Sequence, residues 1–597
     1  MIAHFGEILS ALAAVVFLAV AALGLGGWCE RGWRDFPGLG QGERAALRLL
    51  AGLGAIGLLV FLLGQVRFSG RVTGAVLLAA ALLNLRFPPA RLRVGKVSPL
   101  LLFAGAIVLL CALGGLDRPT GDINFDAISY HLLGPVVWLR EGRIAPVLAE
   151  SLTAFPATVE VLFAAVRAIS NERAPGVIGA LFFAPFLLQV RGLARLFGAS
   201  PGGAGLAAAL FAGLPALTST IDQCFVDLPY AAFVLAAARL AFAGSLPRHF
   251  ALAGVFAGFA AGTKYFALPT ICLLALLLLL STAAPLSARW RQAAIFVACS
   301  ALAGGAWYVR NWIVLGNPIY PPPPALWRLL PTPTFPLGAS QTLMAYMLER
   351  GAGLGKAPAD LLLLPFRLTY RTAWFHGGGG LGLGLLACVP IGFALAWKIR
   401  GACVWGAFAA GLTVFWFYAD QELRFLGAAV GIFAAFAGLG GAALFERRGL
   451  GRWLAVSTIA ISLAVGGALA ARSRIDVLRA LLSPTAAEAR YRAGAPHVEA
   501  FAFLNGHPEV RKVFITNPYV PAYYLEKDYT VLFGRWGEIP HRGAELRADP
   551  PVALGCSHIL DVDYYGAGFR LPEPGPGRLV YADKTARVYA LPAAAIP

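Results

Sequence analysis

The sequence predicts a polytopic α-helical membrane protein with about 14 transmembrane helices and a small external α/β domain at its C-terminus. Of its 597 residues, 58% are hydrophobic and 13% are charged, and the mean hydropathy is +0.70. Soluble domains are about 45–50% apolar and about 25% charged. Apolar runs of spanning length recur up to residue 471, after which the chain becomes more polar. A soluble enzyme, a fibrous protein and a disordered chain are therefore excluded for most of the sequence.

The predicted spans follow from length and polarity, because a transmembrane helix needs about 20 mostly apolar residues. They are placed at 8–26, 47–65, 71–85, 98–115, 174–192, 202–219, 228–243, 250–262, 266–282, 292–314, 380–398, 401–418, 425–444 and 453–471. The segments 250–262 and 266–282 could also form one broken helix. The first run lacks the preceding Lys or Arg of a signal peptide and is expected to be retained.

The distribution of charged residues predicts on which side of the membrane each loop lies. The net charge is +18, from 49 Lys and Arg against 31 Asp and Glu, but the positive residues lie mostly in short loops on one side of the predicted spans. Such loops are cytoplasmic by the positive-inside rule, so no nucleic-acid partner is expected. The long or acidic connections, with everything after about 472, then lie outside. The predicted location is the cytoplasmic (inner) membrane of a bacterium, with the chemistry and the C-terminus on the periplasmic side.

The C-terminal segment carries strand-like runs, namely 512-KVFIT, 558-HILDVD, 579-LVYAD and 586-ARVYAL, and helical patterning at 485–505. These features predict a small α/β domain. The eight cysteines are scattered and form no CxxC pair, which argues against a zinc site and a disulfide framework. No metal is required by this pattern.

The first external loop begins with Asp117, Asp122 and Asp126. Asp126 and Tyr130 are four residues apart and would share a helix face, with His131 beside them. A carboxylate that is partly desolvated at the membrane surface could act as a general base. The alternative is that Asp122 or Asp126 caps the helix, since Asp is a preferred N-cap residue.

Two further external connections carry ionisable residues near the ends of predicted spans. Asp222 and Asp227 lie in 218-TSTIDQCFVDLPY, where Asp227 could instead cap the next helix. Lys264 lies between two apolar runs in GTKYFALP. It could bind a phosphate, or it could extend its ammonium group to the aqueous interface.

Two more cations lie at predicted external span ends. Arg310 in 307-WYVRNW could bind phosphate or carboxylate, or anchor the interface within an aromatic belt. Arg424 follows Asp420 and Glu422 in 418-YADQELRF, where a local ion pair in a solvated loop is the alternative. Together, carboxylates and cations converge on one face, as activation of a hydroxyl and binding of a phosphate leaving group would require.

The motif 126-DAISYHL, followed by WLREGRI, resembles the first external loop of bacterial GT-C glycosyltransferases. The similarity is to the family 39-type transferases, related to protein O-mannosyltransferases and to the lipid A aminoarabinose transferase. Further similar motifs follow in order over about residues 98–597: 156-PATVEVLF, 226-VDLP, FAGFAAGTKYFALP, 309-VRNWIVLGNPIYP, 421-QELRFLGAAVG, 523-YYLEKDYTV, 558-HILDVD and 579-LVYADKTARVY. The predicted domains are 1–97 as extra N-terminal helices, 98–471 as a GT-C-like catalytic module and 472–597 as the external α/β domain.

The resemblance implies inverting transfer of a sugar from a polyprenyl-phosphate donor to a lipid, glycan or protein acceptor, with membrane lipids around the site. It implies that Asp126 is the base, with Asp122 as the other candidate, and that Lys264, Arg310 and Arg424 hold the donor phosphate. The residues expected to bind or line the substrates are Tyr130, His131, Glu160, Asp222, Asp227, Tyr265 and Tyr320. Two departures are that three extra helices precede this module and that Asp122 and Asp126 are not adjacent.

Other functions remain open at this point. A lipid-diphosphate-dependent polysaccharide polymerase or ligase could use Arg367, Arg371 and His376, which lie in 366-FRLTYRTAWFHGGGG. A lipid or sugar transporter would place ionisable groups near mid-span in repeated halves, which is not the pattern here. A non-catalytic scaffold would leave Asp126 and Lys264 without a role. Asp122 and Asp126 could also bind a divalent cation together with phosphate.

Overall fold

The structure is a computed structural model that describes residues 1–33, 36, 38–88, 98–121, 125–147, 149–281, 284–320, 353, 355–375, 380–517, 520–531, 555–562 and 577–592. The α-helices are α1 (Ile2–Cys29), α2 (Gln41–Gly64), α3 (Gly70–Arg86), α4 (Pro99–Gly114), α5 (Leu133–Glu141), α6 (Thr158–Ile169), α7 (Ala174–Leu196), α8 (Pro201–Ala212), α9 (Pro215–Thr218), α10 (Asp227–Phe242), α11 (Pro247–Ala261), α12 (Ala267–Ser281), α13 (Leu286–Leu315), α14 (Pro358–Leu362), α15 (Leu364–Tyr370), α16 (Gly382–Ala396), α17 (Arg400–Ala419), α18 (Gly427–Phe445), α19 (Leu450–Arg472), α20 (Ile475–Leu482), α21 (Pro484–Gly494) and α22 (Val498–Gly506).

Each predicted span overlaps a helix, and the chain is a multi-pass membrane protein. In the described ranges, seven helical stretches are long and apolar enough to cross a membrane. They are Ile2–Gly32, Gln41–Gly64, Ala174–Leu196, Leu286–Leu315, Gly401–Ala419, Leu423–Phe445 and Leu450–Leu482. Four shorter apolar helices are Pro99–Gly114, Pro201–Ala212, Ala267–Leu280 and Gly382–Ala396. The total of about 14 spans stays a prediction.

One buried helix lies between the predicted spans 98–115 and 174–192, where the sequence analysis predicts no span. Residues 158–169 form α6, and nine of its twelve residues, Thr158 to Val166, are buried. At twelve residues α6 is too short for the spanning criterion of about 20 residues. It is a core helix, and it carries Glu160 in its first turn.

Glycines allow two of the helices to pack closely. A Cβ atom on Gly392 of α16 would lie 1.8 Å from the carbonyl oxygen of Phe436 in α18. A Cβ on Gly440 of α18 would lie 2.2 Å from the carbonyl oxygen of Cys388 in α16. Small residues permit such backbone contact between membrane helices. The pairing fixes α18, whose preceding segment carries Arg424.

The chain divides into two compact units. The first comprises 1–117, 156–306 and 351–484 and holds most of the long helices. The second comprises the described parts of 118–155, 307–350 and 485–597. The second unit therefore combines the segment that follows α4 with the C-terminal residues.

The second unit contains the predicted C-terminal sheet. Its strands are β1 (Lys512–Ile515), β2 (Asp528–Val531), β3 (His558–Val562), β4 (Arg578–Ala582) and β5 (Ala586–Ala590), in the order β2-β1-β3-β5-β4. Strands β2, β1 and β3 are parallel, whereas β5 runs antiparallel to both β3 and β4. Apolar residues of α22, such as Phe501 and Leu504, share a buried core with Val513, Leu560 and Val588. The predicted small α/β domain is confirmed.

Candidate active site

Four charged residues of the first unit form one group, which we call the Asp227 cluster: Asp227, Lys264, Glu422 and Arg424. Asp227 begins α10, Lys264 lies between α11 and α12, and the other two precede α18. The Lys264 ammonium donates to Asp227 Oδ1. Arg424 Nε lies 3.8 Å from Asp227 Oδ2 and 3.3 Å from Glu422 Oε2. Two cations that were predicted separately to bind phosphate therefore meet at one carboxylate.

Aromatic rings surround both cations of the cluster. The Lys264 Nζ atom lies 3.3 Å from the centroid of the Phe425 ring. The Arg424 guanidinium carbon lies 4.5 Å from the Phe225 centroid and 5.1 Å from that of Phe425. The side chain of Asp227 is 4% exposed, against 20% for Lys264 and 18% for Arg424. The carboxylate is thus buried beneath the two cations, which keep a limited exposure through which a ligand could reach them.

Burial also shifts the proton affinities near the cluster. It lowers the pKa of the Lys264 ammonium, and the Asp227 carboxylate acts in the opposite direction. Burial raises the pKa of the neighbouring Asp420 carboxyl, and the Glu422 carboxylate adds to that rise. Groups whose pKa is shifted by burial and by specific charged partners are typical of functional sites.

A small apolar pocket adjoins the Asp227 cluster. It is lined by Tyr230, Phe266, Leu412, Phe415, Trp416, Phe425, Leu426, Ala428 and Ala429. Phe266 and Phe425 belong both to this lining and to the aromatic surroundings of Lys264, whose Nζ lies 5.5 Å from the Phe266 centroid. Apolar walls with a few convergent polar groups are characteristic of ligand sites. Two cations therefore lie beside a small apolar surface.

Glu160 and Tyr265, also in the first unit, lie on segments next to the turn that carries Lys264. The Thr158 amide, at the start of α6, donates to the carbonyl oxygen of Gly262 at 2.8 Å. The turn that follows Gly262 carries Lys264 and the half-buried Tyr265. Glu160, in the first turn of α6, is 5% exposed. Both predicted substrate-binding residues therefore lie on segments joined to the Lys264 turn.

Asp222 has a different environment. Arg474 donates from Nε to Asp222 Oδ2 at 2.6 Å and from Nη2 to Oδ1 at 3.0 Å. Burial raises the pKa of Asp222, and the Arg474 guanidinium acts in the opposite direction. The sequence analysis missed Arg474, which lies three residues after the predicted span 453–471. Both oxygens of Asp222 are thus engaged by this arginine.

In the second unit, Asp126 directly precedes a π-helix formed by Ala127–His131. The Leu132 amide donates to the Ala127 carbonyl oxygen at 2.7 Å, which closes the wide turn. Asp126 makes no side-chain capping hydrogen bond to this π-helix, so capping by Asp126 is not observed. The rings of Tyr130 and His131 lie 4.1 Å apart. Short π-helical turns occur frequently at functional sites.

Arg310 and Tyr320, also in the second unit, share one neighbour. Arg310 Nη2 donates to the Ala154 carbonyl oxygen at 2.5 Å and to Asn311 Oδ1 at 2.6 Å. Asn311 Nδ2 donates to the same Ala154 oxygen at 2.9 Å, and Tyr320 packs against Ala154. Arg310 is 5% exposed, which does not fit an interfacial anchor. Its phosphate-binding role stays a prediction.

Some predicted residues cannot be placed, because Asp122 and His376 lie outside the described residues. Among the residues that are described, no group of three or more His, Cys, Asp or Glu side chains could hold a metal ion. Asp420 and Glu422 were noted in the sequence only as a local charged group. The Arg424–Glu422 pair of the alternative interpretation is present, but it extends to Asp227 in α10.

Comparisons with known proteins bear on the fold. No protein-family profile matches the sequence, and no curated protein matches it. The solved structure of ArnT from Cupriavidus metallidurans, bound to undecaprenyl phosphate, is similar at a TM-score of 0.52 and 14% identity, over 83% of this chain and 98% of that one. ArnT is a GT-C membrane glycosyltransferase, and the similarity confirms the predicted GT-C-like fold.

Two further structures are less similar. The archaeal oligosaccharyltransferase AglB from Archaeoglobus fulgidus, in complex with an inhibitory peptide and a dolichol-phosphate, has a TM-score of 0.47 at 14% identity, over 83% of this chain and 75% of that one. The arabinofuranosyltransferase AftD from Mycobacteria has a TM-score of 0.45 at 14% identity, over 84% of this chain and 42% of that one.

Proposed function

We propose that this protein is a membrane glycosyltransferase that moves a sugar from a polyprenyl-phosphate donor to a hydroxyl group of a lipid, glycan or protein acceptor. The reaction takes place on the external face of a bacterial cytoplasmic membrane and inverts the anomeric centre. The observation that carries this proposal is the Asp227 cluster, in which two cations meet at one buried carboxylate beside a small apolar pocket. A GT-C-like fold shared with an undecaprenyl-phosphate-bound ArnT supports it.

Lys264 and Arg424 bind the donor phosphate in this proposal, and the apolar residues that line the pocket contact the first part of the polyprenyl tail. Asp227 holds both cations before the donor arrives, so their reorganisation during reaction is small. Preorganised cations stabilise the charge that develops on a leaving group. In this proposal Asp227 orients the two cations, whereas the resemblance implied that it binds hydroxyl groups of the sugar or the acceptor.

Asp126 is the proposed base, with Asp122 as the other candidate. It accepts the proton of the acceptor hydroxyl as that oxygen bonds to the anomeric carbon. The bond between this carbon and the phosphate oxygen breaks, and polyprenyl phosphate leaves with the electron pair. Tyr130 and His131 line the acceptor side, and the reaction as written needs no metal, although a divalent cation held by Asp122 and Asp126 is an alternative.

The remaining predicted residues keep supporting roles in the proposal. Glu160 and Tyr265 bind substrate hydroxyls near the Lys264 turn, and Tyr320 lines the site in the second unit. Arg310 is proposed as a third phosphate ligand, although its hydrogen bonds to Ala154 and Asn311 also brace the backbone.

The alternative functions gain less support. A lipid-diphosphate polymerase would use Arg367 and Arg371, but Arg367 donates to Asp360 and Arg371 lies 5.2 Å from the Trp374 ring centroid. Neither residue belongs to the Asp227 cluster or lines the pocket beside it. A transporter would need ionisable groups near mid-span, whereas the cluster residues lie at helix ends.

The proposal is tested by release of polyprenyl phosphate from the purified protein, given a mixture of polyprenyl-phosphate sugars and membrane extract. Asp126→Asn should lower the release rate by about 10²–10⁴-fold, the usual contribution of a general base. Asp476→Asn, an exposed carboxylate paired with Arg479 at 3.1 Å, is the control and should leave the rate unchanged. Release by both variants would move the base to Asp122, whereas no release by the wild type with any donor would contradict the proposed function.

A further inference from the structure

The loop that leads into Asp227 has a strained backbone. Residues 219–226 join α9 to α10, and Cys224 within this loop has a φ of +57°. Residues other than glycine rarely adopt this left-handed region. They keep it only where the surrounding structure over-determines the conformation. Cys224 is 5% exposed, so the loop is also packed into the unit, three residues before Asp227.

One arginine from a distant part of the sequence holds this loop. Arg474 follows α19, and its Nη2 atom donates to the carbonyl oxygen of Thr218 at 2.8 Å as well as to Asp222. Its Nη1 atom donates to the Ala470 carbonyl oxygen at 3.1 Å. The guanidinium therefore joins the last residue of α9, the middle of the loop and the end of α19. A planar guanidinium suits such multiple bonds better than an ammonium group does.

The pair between Arg474 and Asp222 is enclosed. The two side chains are 3% and 10% exposed. The end of α4 packs directly on them, because a Cβ atom on Gly114 would lie 2.1 Å from Asp222 Oδ2 and 3.1 Å from Arg474 Nε. Asp222 and Arg474 therefore have little room to move, and the loop is fixed from this side.

We propose that Arg474 is a positioning residue of the Asp227 cluster: through Asp222 and Thr218 it holds the strained loop that places Asp227 between Lys264 and Arg424. The effect on phosphate binding rests on the proposed function, whereas the effect on the loop does not. Asp222, which the sequence analysis assigned to substrate binding, acts here through its bond to Arg474.

The test compares hydrogen exchange of the loop with ligand affinity. Removal of one partner leaves a buried charge, whereas removal of both leaves none, so the main variant is Asp222→Asn with Arg474→Met. The control is Glu43→Gln with Arg239→Met, which removes another buried ion pair, with Arg239 Nε 3.1 Å from Glu43 Oε1. Arg239 lies near the C-terminal end of α10, whereas Asp227 begins that helix. Arg474→Lys keeps the charge but loses the planar fork. Each variant is purified as the full chain in detergent.

Amide exchange in 219–226 should rise at least about tenfold in the main variant and remain at the wild-type rate in the control. Binding of undecaprenyl phosphate should weaken about tenfold, as is usual when a supporting contact around a site is lost, with partial rescue in Arg474→Lys. Unchanged exchange of the loop in the main variant would overturn the proposal. If the loop loosens but the wild type binds no undecaprenyl phosphate, the positioning of the loop stands and the proposed function fails.

Discussion

Replacement of Lys264 by Gln isolates the contribution of the cluster to phosphate binding. The change removes one of the two cations but keeps a side chain that can donate a hydrogen bond to Asp227. Arg424 stays beside Asp227 at 3.8 Å and beside Glu422 at 3.3 Å. The buried Asp227 carboxylate therefore retains a positively charged neighbour, and the variant is expected to fold.

The magnitude follows from the position of Lys264. At an effective dielectric constant of about 20, a phosphate oxygen about 4 Å from the ammonium gains about 4 kcal/mol. The bond between Lys264 and Asp227 offsets part of this gain, because the ammonium already has a counter-charge. A net value of about 1.5–3 kcal/mol is usual for a hydrogen bond to a charged group. It corresponds to about a 10- to 100-fold rise in Kd for undecaprenyl phosphate.

The assay is equilibrium binding of undecaprenyl phosphate to purified protein, with thermal unfolding to confirm that each variant is folded. Lys356→Gln is the matched control, because the exposed Lys356 ammonium donates to backbone oxygens, that of Tyr418 at 2.6 Å and that of Ala419 at 3.5 Å. Lys264→Arg keeps the charge and should bind more tightly than Lys264→Gln. A change of less than about threefold in Lys264→Gln, below 1 kcal/mol, would refute the phosphate role of Lys264.

Three further outcomes are expected. Burial raises the pKa of the Asp420 carboxyl in the folded protein. The contribution of Asp420 to stability is therefore lost as pH rises from its unfolded pKa of about 3.9 through the folded value. The Tm of Asp420→Asn should fall less than that of the wild type between about pH 4 and pH 7. Phe425→Ala removes a ring 3.3 Å from Lys264 Nζ, a cation–π contact worth about 0.5–2 kcal/mol, and should weaken undecaprenyl phosphate binding about 2- to 30-fold; unchanged affinity would exclude the ring from the site. A reporter enzyme fused after Pro597 should be active only outside the cytoplasm, and cytoplasmic activity would reverse the predicted topology.

The helices were predictable because their signal is local. A long apolar run must form a helix if it lies in a bilayer, since its backbone groups have no other partners there. The runs at 8–26 and 425–444 therefore became α1 and α18 with boundaries shifted by a few residues. In contrast, α6 was missed because twelve residues do not span a bilayer. Its burial depends on neighbouring helices that are distant in the sequence.

The candidate site was predictable only one residue at a time. Asp227, Lys264 and Arg424 were each selected because a charged residue at the end of an apolar run is a candidate functional residue. This rule uses only neighbouring residues in the sequence. Their meeting is a property of tertiary packing, because they precede or join three different pairs of helices. The partner of Asp222 could not be predicted for the same reason. Its partner Arg474 is 252 residues away, and no local pattern links the two.

The charge balance around the Asp227 cluster favours a particular kind of donor. Two cations, Lys264 and Arg424, face three carboxyl groups, those of Asp227, Asp420 and Glu422. Fully ionised, this group carries one net negative charge, so its two cations are already balanced by carboxylates. A lipid diphosphate would add about two negative charges where a phosphodiester adds one, and each further charge that is poorly compensated in a partly buried site is costly. This charge balance is the reason that the proposed function has a donor with a single phosphate rather than the lipid diphosphate of a polymerase.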